Sequence, residues 1–179
     1  MNRRQAIVSV LTLLVLPASA QEINTPDPDL AAIQGTWHGK LTYRDYSHPD
    51  RMVTLPTRLY VALAAPNELT LHYVFDDGPK KTVYSYERMA FDFERKVLIW
   101  TSGTANAKTR QNRITSSPSQ DGGRSIAFER EGENGTIHRY FMRLSPMALS
   151  LSKEEGTPSA RFLFRNKYEF TRGETARPS

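Results

Sequence analysis

From Gly35 onward, apolar residues recur at every second position, and a period of two rather than 3.6 confines the chain to β-structure. The pattern is plainest over 52–64. There Val53, Leu55, Thr57, Leu59, Val61 and Leu63 share one face, and Met52, Thr54, Pro56, Arg58 and Tyr60 share the other. One dry face and one wet face describe a half-buried antiparallel strand. The same reading predicts strands over 36–46, 68–76, 81–91, 93–101, 107–116, 123–131, 135–144, 147–153 and 159–172. Turn chemistry separates them: Pro66-Asn67, Asp76-Asp77-Gly78-Pro79, Asp121-Gly122-Gly123, Gly132 to Gly135, and Gly156 to Pro158. Beyond residue 20 no stretch keeps a helical pattern for three turns.

The expected fold is therefore all-β, an up-and-down antiparallel meander of roughly 8–10 strands. The connections are all short, whereas a Greek-key sandwich needs a long crossover. Closure into a barrel would also remove the two exposed edges of an open meander. With 179 residues, one such domain accounts for the chain. Its organisation reads as a leader over 1–20, a lead-in over 21–34, a barrel domain over 35–172 and a flexible tail over 173–179. Within the lead-in, Asp27 is placed to cap a helical turn running from Pro28 to Ile33.

The leader is legible by composition. Arg3 and Arg4 precede an apolar run from Ile7 to Leu16, and Ala18-Ser19-Ala20 supplies small residues before Gln21. That is the pattern of a secretory signal peptide cleaved after Ala20, and the run is half the length a membrane span requires. The arginine pair also admits a twin-arginine export signal, although Gln5-Ala6-Ile7 fits the general secretory route better. The expected location is periplasmic or secreted, with no transmembrane segment in the mature chain. Removing the leader leaves 22 basic against 19 acidic residues. So small and dispersed an excess, on an exported chain, argues against a nucleic-acid partner. No cysteine is present, which excludes a disulfide scaffold, a thiolate metal site and a cysteine nucleophile.

Gly35-Thr36-Trp37 opens the first predicted strand just after the helical turn. A Gly-x-Trp in that place resembles the start of the lipocalins and fatty-acid-binding proteins, the calycin-type barrels. The resemblance implies that Trp37 plugs one end of the barrel and that an arginine late in the last strand packs across it. Phe162, Phe164, Asn166, Tyr168, Phe170 and Arg172 alternate on one face there, so Arg172 is the matching residue, while the phase of Arg165 points outward. A guanidinium over an indole contributes about 0.5–2 kcal/mol. The chain departs from those families in three ways. It lacks an Arg-x-Tyr carboxylate clamp in phase, a helical lid after the first strand, and the lipocalin disulfides.

Chemistry-bearing motifs are sparse. Of four histidines, only His138 falls in an inward phase, and no pair has metal-ligand spacing. There is no Gly-x-Ser-x-Gly elbow and no phosphate-cradling loop, so neither a metal nor another cofactor is expected. Eight Phe, eight Tyr and two Trp crowd the strands. They serve either to fill a barrel core or to line a pocket. The pocket reading selects Tyr43, Tyr73, Phe75, His138, Tyr140, Phe164 and Tyr168, with Trp37 and Arg172 closing the opposite end. It describes an exported binding protein for a small, mostly apolar or amphipathic ligand. The alternatives are a barrel enzyme (an isomerase, cyclase or lyase using Tyr or His138 as acid–base) and a filled barrel acting through its outer surface.

Overall fold

The computed structural model describes residues 25–120 and 122–173. The leader, its cleavage point and residues 174–179 of the expected tail lie outside them. Eleven strands follow a single turn of helix, α1 (Pro28–Ala32): β1 (Gly35–Arg44), β2 (Met52–Ala65), β3 (Glu68–Asp76), β4 (Thr82–Asp92), β5 (Val97–Ser102), β6 (Lys108–Ser116), β7 (Ser119–Gln120), β8 (Gly123–Glu131), β9 (Ile137–Leu144), β10 (Ala148–Gly156) and β11 (Leu163–Arg172). Every pairing is antiparallel and between sequence neighbours, apart from β1 with β11 and β6 with β8. Those two pairings close a barrel of ten strands. The two-residue β7 only extends the sheet alongside β8.

The departures from the expected boundaries have local causes. β5 starts at Val97 rather than 93, because Asp92 accepts the Arg95 backbone N–H at 2.8 Å and Lys96 turns at φ 56°. A 3-10 turn over Glu133–Gly135 delays β9 to Ile137. The last strand begins at Leu163.

One end of the barrel is sealed. Asp27 caps α1 by accepting the Asp29 and Leu30 backbone N–H groups at 3.0 and 3.1 Å. This helix lowers Leu30 and Ile33, both fully buried, onto Trp37. The indole N–H of Trp37 donates to the Ile33 carbonyl at 2.8 Å. Trp37 and Arg172 are register partners across the closing β1–β11 pair, and the guanidinium lies 4.7 Å from the indole centre. Its Nη2 donates to the Ala32 carbonyl at 2.7 Å. Arg124 clamps the helix from outside. It meets Asp27 at 2.9 Å and Asp29 at 3.1 Å, and covers the Phe93 ring at 4.3 Å.

Above this plug the inner face is packed with Leu59, Val61, Leu69, Leu71, Met89, Leu98, Ile126, Met142 and Leu144. The closing strands need a glycine there: a Cβ on Gly39 would fall 1.9 Å from the Glu169 carbonyl oxygen. Trp37 is the one buried residue of β1, and Gly39, Leu41 and Tyr43 further along its inward row are half-buried. The core therefore thins toward the opposite end, and that end is open.

Candidate ligand site at the open end of the barrel

The strand ends far from Trp37 surround a cavity of about 340 Å³, lined by Leu41, Tyr43, Tyr46, Leu55, Phe75, Asp77, Val83, Asn166 and Tyr168. Two larger concavities, about 620 and 500 Å³, flank Gly39 on the outer wall. Along the first, Lys40 and Lys167 both pair with Glu169. The cavity at the strand ends gathers the aromatic side chains Tyr43, Tyr46, Phe75 and Tyr168.

Alternation places its walls. Tyr73 and Phe75 follow Leu71 inward on β3 and stack with ring centres 5.9 Å apart. Tyr168 on β11 leans against Tyr73 at 5.0 Å and Phe75 at 6.3 Å. Across the lumen, Tyr140 stacks on Phe128 at 4.9 Å, with Trp100 edge-on to it at 5.2 Å. Of the residues picked from the sequence, Tyr43, Phe75 and Tyr168 line the cavity. Tyr73 lies fully buried beneath it, and Tyr140 belongs to the opposite aromatic wall.

Phe164 requires a correction. Between Lys153 and Glu154 the β10–β11 register shifts, so Lys153 faces Asn166 while the next residue, Glu154, faces Phe164. The extra residue on β11 is Arg165. A bulge reverses the side-chain phase beyond it. Phe164 thus joins the outer row of Glu154, Arg139, Glu129 and Arg113. Arg165, expected outside, turns to the mouth instead, where it reaches Glu155 at 3.7 Å and covers the Tyr46 ring at 3.9 Å.

Arg165 completes a charged rim. Glu155 also accepts from Lys153 at 2.5 Å and contacts His138 Nδ1 at 3.1 Å. Burial opposes ionisation of Glu155, but the hydrogen bond from Lys153 and the charges of Lys153, His138 and Arg165 hold its carboxyl below the usual range. Burial, followed by the positive charges of Lys153 and Arg130, pushes His138 down and favours the neutral ring, against the pull of Glu155.

The floor is different. Glu87 follows Ser85 and precedes Met89 on the inner face of β4, and accepts the Trp100 indole N–H at 2.9 Å. It is half-buried on that inner face. Burial pushes its carboxyl up to about 7, against the effect of the Trp100 hydrogen bond. Burial, then the nearby Glu87 and Tyr168, pushes the Tyr73 phenol well above its ordinary value. Burial and Glu87 also raise Tyr168. The Tyr73 hydroxyl has no hydrogen-bond partner among the described residues. Glu87, Trp100, Lys153 and Arg165 were not among the residues picked from the sequence. For the first three the signal was present: Glu87 is in phase with Met89 and Phe91, Trp100 with Leu98, and Lys153 with Leu149 and Leu151.

No group of three or more His, Cys, Asp or Glu side chains among the described residues could hold a metal ion. No described helix is long and apolar enough to cross a membrane.

These features define a closed ten-stranded antiparallel meander barrel, plugged at one end by Trp37, Arg172 and α1. Two solved structures share the fold. Rv2717c from M. tuberculosis superposes with a TM-score of 0.57 at 10% identity, over 83% of this chain and 99% of that one. The S-type phycobiliprotein lyase CPES from Guillardia theta superposes with a TM-score of 0.54 at 6% identity, over 82% of this chain and 91% of that one. No protein-family model matches the sequence, and no curated protein sequence matches it.

Proposed function

We propose that this chain is an exported binding protein, periplasmic or secreted, that holds a small, mostly apolar ligand in the open mouth of its barrel. The observation that carries the reading is the asymmetry of the two ends. One is sealed by Trp37, Arg172 and α1, and the other retains about 340 Å³ of space walled by aromatic and aliphatic side chains. That volume lies within the range of small-molecule sites, and apolar walls with a few convergent polar groups are their usual composition. A phycobiliprotein lyase of the same fold lends support to a barrel of this shape acting on another molecule. Export rests on the basic, apolar and small-residue order of the first twenty positions.

The test is extraction. Protein isolated from the envelope fraction of its own cells should begin at Gln21 and release a small molecule into organic solvent, detected by mass spectrometry. A Leu55→Trp variant, whose indole would occupy the mouth, should release none. An empty wild-type protein that also binds no aromatic probe would refute the binding reading. Intact Met1 on cytosolic protein would refute export.

A further inference from the structure

The barrel holds two acidic side chains in its inner rows, and they are treated in opposite ways. Glu155, at the rim, is met by Lys153, His138 and Arg165. Glu87, on the floor, has one neutral donor, the Trp100 indole, and no ion pair among the described residues. The Tyr73 hydroxyl, fully buried on the neighbouring strand β3, has no hydrogen-bond partner among the described residues. Buried polar groups are ordinarily satisfied, and those that are not mark a missing partner.

Both groups lie beneath the mouth, and neither lines the cavity itself. Tyr73 packs at 5.0 Å against Tyr168, which lines the cavity, and Glu87 faces Leu71 in the β3–β4 register, one inward position along from Tyr73. A carboxylate in low dielectric accepts hydrogen bonds and attracts positive charge. An ether, ketone or second carboxylate would bring only acceptors to it. An amine or a heteroaromatic N–H brings the donor that Glu87 lacks and leaves the Tyr73 hydroxyl a polar neighbour.

We propose that Glu87 and Tyr73 form the polar floor of the site and that its ligand presents a nitrogen-bound hydrogen to them from an apolar body. This rests on the mouth being the ligand site. The floor selects the ligand class, and the aromatic walls supply most of the contact.

Titration calorimetry at pH 8 with 2-naphthylmethylamine, 2-ethylnaphthalene and 2-naphthylacetic acid tests it. These probes share one apolar body and differ in the group it carries. The wild type should bind the amine at least about tenfold more tightly than the hydrocarbon, the scale of one charge-assisted hydrogen bond. Glu87→Gln should erase that preference while leaving 2-ethylnaphthalene binding close to wild type, which also shows that the variant is folded. Tyr73→Phe should reduce the preference without abolishing it. Equal wild-type affinity for amine and hydrocarbon would overturn the floor while leaving the mouth as a ligand site. Tighter binding of the acid would overturn it in favour of selection by Lys153 and Arg165. No binding of any probe would overturn floor and mouth together.

Discussion

Replacing Glu87 by glutamine should stabilise the protein at alkaline pH, even though it removes a side chain that accepts a hydrogen bond. The amide keeps the shape and the acceptor oxygen for the Trp100 indole, so the neutral network survives. What disappears is the cost of ionising a carboxyl inside the barrel. Its folded value of about 7 stands above the 4.5 of the unfolded chain, and each unit corresponds to about 1.4 kcal/mol. The full difference is about 3 kcal/mol, an upper bound because the side chain is only half-buried. A raised folded value means that the folded state binds more protons between pH 4.5 and 7. The stability Glu87 contributes is complete below that window and is lost as pH rises through it. Urea unfolding at a series of pH values should therefore show Glu87→Gln and wild type diverging from pH 5 to 8, with the variant ahead by about 1–3 kcal/mol at the top. Titration of Glu155, His138 and Asp29 is common to both proteins and cancels in the difference. A pH-independent difference, or a variant that loses stability at pH 8, would refute the argument that Glu87 is desolvated in the lumen.

Other perturbations probe the plug and the seam. Trp37→Ala should cost about 3–5 kcal/mol in chemical denaturation, as the loss of a fully buried aromatic. Arg172→Lys should cost less than that yet more than a surface substitution, because an ammonium cannot both cover the indole and reach the Ala32 carbonyl as a planar guanidinium does. Arg124→Ala takes from Asp27 and Asp29 their shared cation, leaving them the backbone cap and the Ser119 hydroxyl, and uncovers Phe93. A loss of about 2–4 kcal/mol is expected, and calorimetric melting should reveal it. Gly39→Ala drives a methyl group into the Glu169 carbonyl and should prevent closure of β1 on β11, seen as lost near-ultraviolet dichroism. Tyr73→Phe removes a buried hydroxyl without a partner, so the ligand-free protein should melt no lower, and by up to about 1 kcal/mol higher, than wild type.

What could be read from the sequence alone was whatever depends on neighbours along the chain. A period of two is local, so ten barrel strands were legible between their turns, as was the Asp27 cap on α1. The phase of Trp37 and Arg172 was legible for the same reason, and closure of the meander made them partners. The tertiary structure decided the rest. A bulge at Arg165 is defined by the count of residues on β10, not on β11, so no reading of β11 by itself could show that Phe164 turns out and Arg165 turns in. Likewise Glu87 reads as one polar residue among the tyrosines of β4. Its raised carboxyl value arises from burial inside the barrel, where the one hydrogen-bond donor it meets is the Trp100 indole of β5. Desolvation is a property of the enclosed volume, and that volume exists only once β1 has met β11 and β6 has met β8.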